Sequence, residues 1–112
     1  MTMQDRFKVR FWNTIRNKYE DTYCVGVRGM TLDYVIPEQC TGLKDNNDKL
    51  IYEGDIIEDD NTKSDRGVVF FDKYSARFMV KMYKYNQKVL IKKNVRVVGN
   101  IHEENKDENH NL

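Results

Sequence analysis

Apolar and polar residues alternate one by one along most of this chain, in short runs broken by Gly, Asn and Asp, and no stretch repeats its apolar residues at helical spacing. A period of two sends successive side chains to opposite faces of a strand, so a chain patterned this way is committed to β-structure. In RFKVRFW, Phe7, Val9 and Phe11 fall on one face and Arg6, Lys8 and Arg10 on the other, the pattern of a half-buried strand that Trp12 closes. After the bend NTIRNK, TYCVGV and TLDYVI read as the next two strands, and Pro37 is expected to end the second because it has no N–H for a ladder. RGVVFF, ARFMVKMY, VLIKK and VRVVGNI supply four more, separated by DKYS, KYNQK and Asn94. Seven or eight short strands in 112 residues imply tight antiparallel connections.

That length fits one compact domain with one core. The opening MTMQDRFKVRFW has charges within its first ten residues and no apolar stretch of signal length, and no later segment approaches transmembrane length, so a soluble, cytoplasmic protein is expected. Cys24 and Cys40 lack a C-x-x-C spacing or a neighbouring His and read as two buried free thiols.

The polar bend TGLKDNNDKLIYEGDII, residues 41–57, reads as two successive turns. KDNNDK suits a hairpin tip, because Asp and Asn tolerate left-handed backbone angles and bond their own main chain. YEGD makes the second turn, with Gly54 available for positive φ, before Ile56 and Ile57 enter the core. Glu53 and Asp55 could instead pair as acid and base, but no His, Cys or Ser supports them within the stretch and the glycine between them favours a turn. An EF-hand loop started at Asp45 would need Gly at position 50 and Glu at position 56, where Leu50 and Ile56 stand. EDDNTKSD fails the same template and reads as a solvated, mobile loop. His102 and His110 read as strand-end and tail histidines rather than metal ligands. No catalytic residue, metal or cofactor is expected, and the chain reads as a non-enzyme.

The charges are segregated. From Glu20 to Asp72 there are thirteen acidic and five basic residues, whereas from Lys73 to Ile101 there are eight basic residues and no acidic one. Alternation in ARFMVKMY places Arg77, Met79, Lys81 and Tyr83 on one face and Phe78, Val80 and Met82 on the other. Arg77, Lys81, Tyr83, Lys84, Lys88, Lys92, Lys93 and Arg96 are therefore candidates for holding a polyanion, with phosphates on cations and bases on rings. The alternative is internal balance against the acidic middle of the same or a neighbouring chain.

The order Gly-Asp, apolar strand, charged loop and Gly67-Val68-Val69 is that of a small SH3-type barrel at its start. A more specific resemblance is carried by QCTGLKDNNDKLIYEGDII, which resembles the central signature of the YopX family, small proteins of phages and of bacterial prophages. FKVRFWN with Trp12 resembles that family's opening strand, and VRVVGNIHEEN resembles its closing V-x-G-N-I-aromatic-E-N motif. The chain departs from the pattern at Cys40, at Asn47 and Asp48, and at His102. Among the motif residues Thr41, Gly42, Leu43, Lys44, Asp45, Tyr52, Glu53, Gly54, Asp55, Gly99 and Asn100, the glycines of the central signature suit special backbone angles, Leu43 and Tyr52 suit packing, and Asp45 and Asp55 suit turn N–H groups.

The resemblance implies a mainly β fold with an SH3-like barrel in the C-terminal part, and no activity. The expected organisation is residues 1–52 as strands and hairpins packed on a barrel of residues 53–101, then a polar tail, 102–112, partly disordered beyond Glu104. A binding or assembly module is the function expected, with a second copy of the chain or a phage or host protein as partner and a nucleic acid as the alternative.

Overall fold

Wherever the alternating segments are described, they are strands. The computed structural model describes residues 8–20, 34–63, 65–85 and 87–103. Within them lie β1 (Val9–Asn13), β2 (Lys18–Glu20), β3 (Val35–Lys44), β4 (Leu50–Tyr52), β5 (Asp55–Asp59), β6 (Arg66–Asp72), β7 (Arg77–Met82), β8 (Lys88–Leu90) and β9 (Val95–Asn100). They form a four-stranded sheet of order β2-β1-β3-β4 and a five-stranded sheet of order β8-β7-β6-β5-β9. All pairings are antiparallel. The larger sheet is a half-barrel: β5 pairs with both β6 and β9, while β8 and β9 stay at opposite edges. No helix among the described residues is long and apolar enough to cross a membrane. The expected strand TYCVGV with Cys24, the start of TLDYVI, Arg6 and Phe7, and the tail from residue 104 lie outside the described residues.

Pro37 does not end a strand. It lies inside β3, opposite Phe11 of β1. The Cys40 N–H donates to the Lys8 carbonyl at 2.9 Å, so by two-residue alternation the even-numbered amides of β3 face β1 and the odd-numbered ones face away. The pairing of β3 with β4 begins only at Cys40. Pro37 therefore directs its missing donor to an unpaired edge, where a proline is tolerated.

The two turns of residues 41–57 are present. Lys44 pairs with Leu50 across the first tip, where Asp48 takes φ 63° and Asp45 Oδ1 accepts the N–H groups of Asn47 and Lys49, each at 2.9 Å. Between Cys40 and Lys44 the register slips, because four steps along β3 face two along β4. Gly42 at φ 85° turns this bulge, and the Thr41 hydroxyl patches it by donating to the Ile51 carbonyl at 2.8 Å. Leu43 does not pack as expected; the bulge leaves it exposed.

The core cluster is Ile51, Ile57, Val69, Val80 and Val95, with Met82, Val89, Ile91 and Val97 packed against it. Ile51 comes from the smaller sheet, so the two sheets share this core. The second turn joins them again: the Gly54 N–H donates to the Val69 carbonyl at 2.8 Å, and the Gly54 carbonyl accepts from Ile101 N–H at 2.9 Å. After β9 the chain leaves in a helical turn over 101–103, capped by Asn100 Oδ1, which accepts the N–H groups of His102 and Glu103 at 3.0 and 3.1 Å.

Candidate functional site

Two polar assemblies stand out, a buried cluster between the sheets and a basic face on the larger one. The cluster is built from cross-strand neighbours. Arg10 of β1 lies opposite Glu38 of β3, and Trp12 of β1 lies opposite Tyr19 of β2. This reverses the sequence expectation for β1, whose inward face carries Arg10 and Trp12 while Val9 is exposed. Arg10 Nε donates to Glu38 Oε1 at 2.8 Å, and Arg10 Nη2 lies 2.7 Å from Asp55 Oδ1 and donates to the Glu53 carbonyl at 3.1 Å. The guanidinium carbon sits 4.2 Å from the Tyr19 ring centroid and 4.7 Å from that of Tyr52, so the cation is sandwiched between two rings.

Glu38, 4% exposed, is the hub. Besides Arg10, it accepts from the Tyr19 hydroxyl at 2.9 Å and from His102 Nε2 at 2.9 Å. A carboxylate only accepts, so these contacts require the proton on Nε2. The His102 ring stacks on Trp12 with centroids 4.4 Å apart and planes 4° from parallel. His102 is thus at the end of the last strand, as expected, and is packed there as a partner of Glu38. Asp55, 1% exposed, also accepts the Tyr52 N–H at 2.8 Å, while Glu53 is spent on the backbone, accepting the Gln39 N–H at 2.8 Å. The carboxylate that meets Asp55 across Arg10 is therefore Glu38, not Glu53.

Burial pushes the Asp55 carboxyl above the usual carboxylate range against the pull of Arg10. Burial also opposes the charge on Arg10, but Asp55, Tyr19 and Glu38 together hold its guanidinium above the ordinary value. The Tyr19 hydroxyl is pushed far up, first by burial and then by Glu38. Beside the cluster, Arg10, Tyr19, Lys49, Tyr52 and Glu103 line an open cleft of about 350 Å³.

The second assembly is the outer face of the five-stranded sheet. Register sets its rows across the strands. Arg96, Glu58 and Arg66 form one row, Ile56, Val68, Lys81 and Lys88 the next, then Phe70, Met79 and Leu90, then Asp72 and Arg77. The opposite face carries Val69, Val80, Val89 and Val97 into the core. Five cations, Arg66, Arg77, Lys81, Lys88 and Arg96, share the outer face with two carboxylates, Glu58 and Asp72.

The expected polyanion residues divide. Arg77, Lys81 and Lys88 lie on this face, and Tyr83 and Lys84 follow in the β7–β8 turn. Lys92 and Lys93 lie beyond β8, and Lys92 points its ammonium to Asp59, 3.9 Å away. Arg96 is 3.1 Å from Glu58 and 3.8 Å from Asp60. Part of EDDNTKSD is thus ordered rather than a free loop. Glu58 and Asp59 belong to β5, and Asp60 donates its N–H to Asn94 and accepts from Asn46 at 2.8 Å.

Arg96, and then Arg66, hold the Glu58 carboxyl below its usual range, and the Ser75 hydroxyl does the same for Asp72. A carboxylate lowered in the folded state stabilises the fold above its unfolded value, and that contribution is lost as pH falls through the folded one. Glu58→Gln is therefore expected to be less stable than the parent in urea unfolding at pH 7, with the gap closing below pH ~4. A gap that is unchanged at acid pH would count against this pairing.

Sequence reasoning missed Arg10, Tyr19, Glu38 and Arg66. Arg66 was recoverable, since Arg66, Val68, Phe70 and Asp72 alternate on one face. The others are separated by up to 28 residues and share no local pattern.

A family model described as YopX protein matches residues 3–106 of the chain. No curated protein matches it.

Proposed function

The chain belongs to the YopX family, and on that premise we propose that it is a non-catalytic binding module of phage or prophage origin, working in the bacterial cytoplasm, that holds a polyanion on the outer face of its five-stranded sheet. The observation that carries this reading is the pair Lys81 and Lys88, set directly opposite each other across β7 and β8. Like charges in that position destabilise a sheet. An anion laid over both lysines removes the repulsion, and Arg77 extends the same field along the face, whereas Arg66 and Arg96 are balanced by Glu58 and Asp60. The strand order β8-β7-β6-β5-β9, with β5 paired to both the second and the last strand, supports an SH3-like reading of this half-barrel.

The buried cluster supports a non-catalytic role. Glu38 is occupied by Arg10, Tyr19 and His102, and Asp55 by Arg10 and a backbone N–H. Both carboxylates are thus occupied in joining the two sheets. A second copy of the chain as partner gains less support, because the acids that would dock on the basic face, Glu58, Asp59 and Asp60, are engaged within the chain.

Retention on immobilised heparin tests the reading. The parent is expected to bind at low salt and to elute as salt rises. Lys81→Ala with Lys88→Ala is expected to elute at clearly lower salt, whereas Lys92→Ala, whose ammonium already faces Asp59, is expected to elute close to the parent. Failure of the parent to bind at low salt would sink the reading.

A further inference from the structure

The basic face is interleaved with rings in a way that a simple charge patch would not need. Lys88 lies over the Phe70 ring, 5.7 Å from its centroid, in the middle of the face. At the β6–β7 turn Lys73 lies 5.5 Å from the Tyr74 centroid, and at the β7–β8 turn Lys84 lies 5.5 Å from that of Tyr85. These two turns end β7 on either side, so the three lysine–ring pairs mark its two ends and its middle. Tyr74 is 86% exposed and Tyr85 58% exposed, with no core role to account for either. Between the ends runs the apolar row of Phe70, Met79 and Leu90, the last 53% exposed, beside the Lys81–Lys88 pair.

From this arrangement we infer that the polyanion is a single-stranded nucleic acid lying along β7, its bases stacked on the exposed rings of Tyr74 and Tyr85 and its phosphates held by the neighbouring lysines. The inference rests on the polyanion reading above and goes further by naming the ligand class. A strand of six residues is about 20 Å long, which suits a run of a few extended nucleotides. Stacking requires open base faces, which a duplex keeps inside its helix and a polysaccharide lacks. A lysine ammonium 5.5 Å from the centroid of each of these tyrosines brings phosphate and base contacts together at the spacing of one chain.

Fluorescence anisotropy separates the two levels of the inference. The probes are a labelled oligothymidylate of about 12 nucleotides, a duplex of the same length, and heparin as competitor. The single strand is expected to bind at least tenfold more tightly than the duplex. Tyr74→Ala and Tyr85→Ala, both at exposed turn positions that leave the core intact, are each expected to weaken single-strand binding about tenfold while leaving heparin binding unchanged. Lys81→Ala and Lys88→Ala are each expected to reduce the salt slope of binding by about 0.7 without changing the preference for single strands. Equal binding of strand and duplex, or tyrosine variants that bind like the parent, would overturn the single-strand assignment while the polyanion reading stands. No binding of any probe at low salt would overturn both.

Discussion

Arg10→Met is expected to lose about 3–5 kcal/mol of folding stability, the largest effect of any single change considered for this chain. The reason lies in what remains. Methionine fills much of the space between the Tyr19 and Tyr52 rings, but it leaves Glu38 and Asp55, with side chains 5% and 2% exposed, without the cation that holds both. A buried carboxylate without its partner must either take up a proton or carry its desolvation penalty uncompensated. For a domain whose total stability is of order 5–15 kcal/mol, the loss takes a large fraction. Urea denaturation at pH 7, followed by tryptophan fluorescence and far-UV circular dichroism, measures it. Trp12 is the chain's only tryptophan and stacks on His102 within the same cluster, so its emission reports this joint directly. Arg10→Lys is expected to recover only part of the loss, because one ammonium cannot reach two carboxylates with a planar fork or stack between two rings. A loss below about 1 kcal/mol for Arg10→Met, the scale of an exposed ion pair, would show that the cluster does not brace the fold.

The brace gives the proposed function its scaffold. Arg10 and Glu38 belong to the smaller sheet, Asp55 begins the first strand of the larger one, and His102 follows its last. Asp55 lies opposite Asn100, so the cluster pins the corner of the half-barrel where β5 and β9 pair to the smaller sheet. β5, next to the β9 edge, is buried on both faces, and β6, β7 and β8 extend outward from it. Lys81 and Lys88 are carried on those outer strands, and Tyr74 and Tyr85 on the turns beside them, away from the joint, so they can be altered without touching the interactions that hold the two sheets.

Strands and turns were legible in the sequence because their causes are local. Alternation marked β6, β7 and β9, and Asp, Asn and Gly marked the tips at Asp48 and Gly54, both with positive φ. The buried cluster was hidden because its causes are not local: Arg10 meets Glu38 across 28 residues, and Glu38 meets His102 across 64. Alternation says that Arg10 and Phe11 face opposite ways but not which way is inward. Hydrophobicity suggested the wrong side, because the inward cation is compensated by carboxylates that no periodicity reveals. The same blindness affected Pro37, whose place in β3 depends on the residue at which β4 begins to pair. For the basic face, charge counting located the right strands, yet only the register separated Lys81 and Lys88 from Lys92 and Arg96, which answer acids within the chain.

Gly54→Ala should be the second most damaging change, and two physical causes contribute to it. The residue sits at φ +84°, where an L side chain costs about 1–2 kcal/mol, and a Cβ there would stand 2.6 Å from Glu38 Oε2, the oxygen that accepts from His102. Glu38 cannot swing away freely, because Arg10 and Tyr19 hold its other oxygen. Displacing it disturbs hydrogen bonds to charged groups worth about 1.5–3 kcal/mol each, so a total loss of about 3 kcal/mol or more is expected. Thermal and urea unfolding measure the loss, and a red shift of the Trp12 emission is expected in the folded variant as His102 loosens from the stack. Asn at the same position separates the causes, since Asn adopts left-handed angles with little strain yet carries the same Cβ. If contact with Glu38 dominates, Gly54→Asn remains strongly destabilised and shows the same emission shift. If it instead recovers most of the stability, the glycine serves only the turn, and its link to the buried carboxylate is refuted.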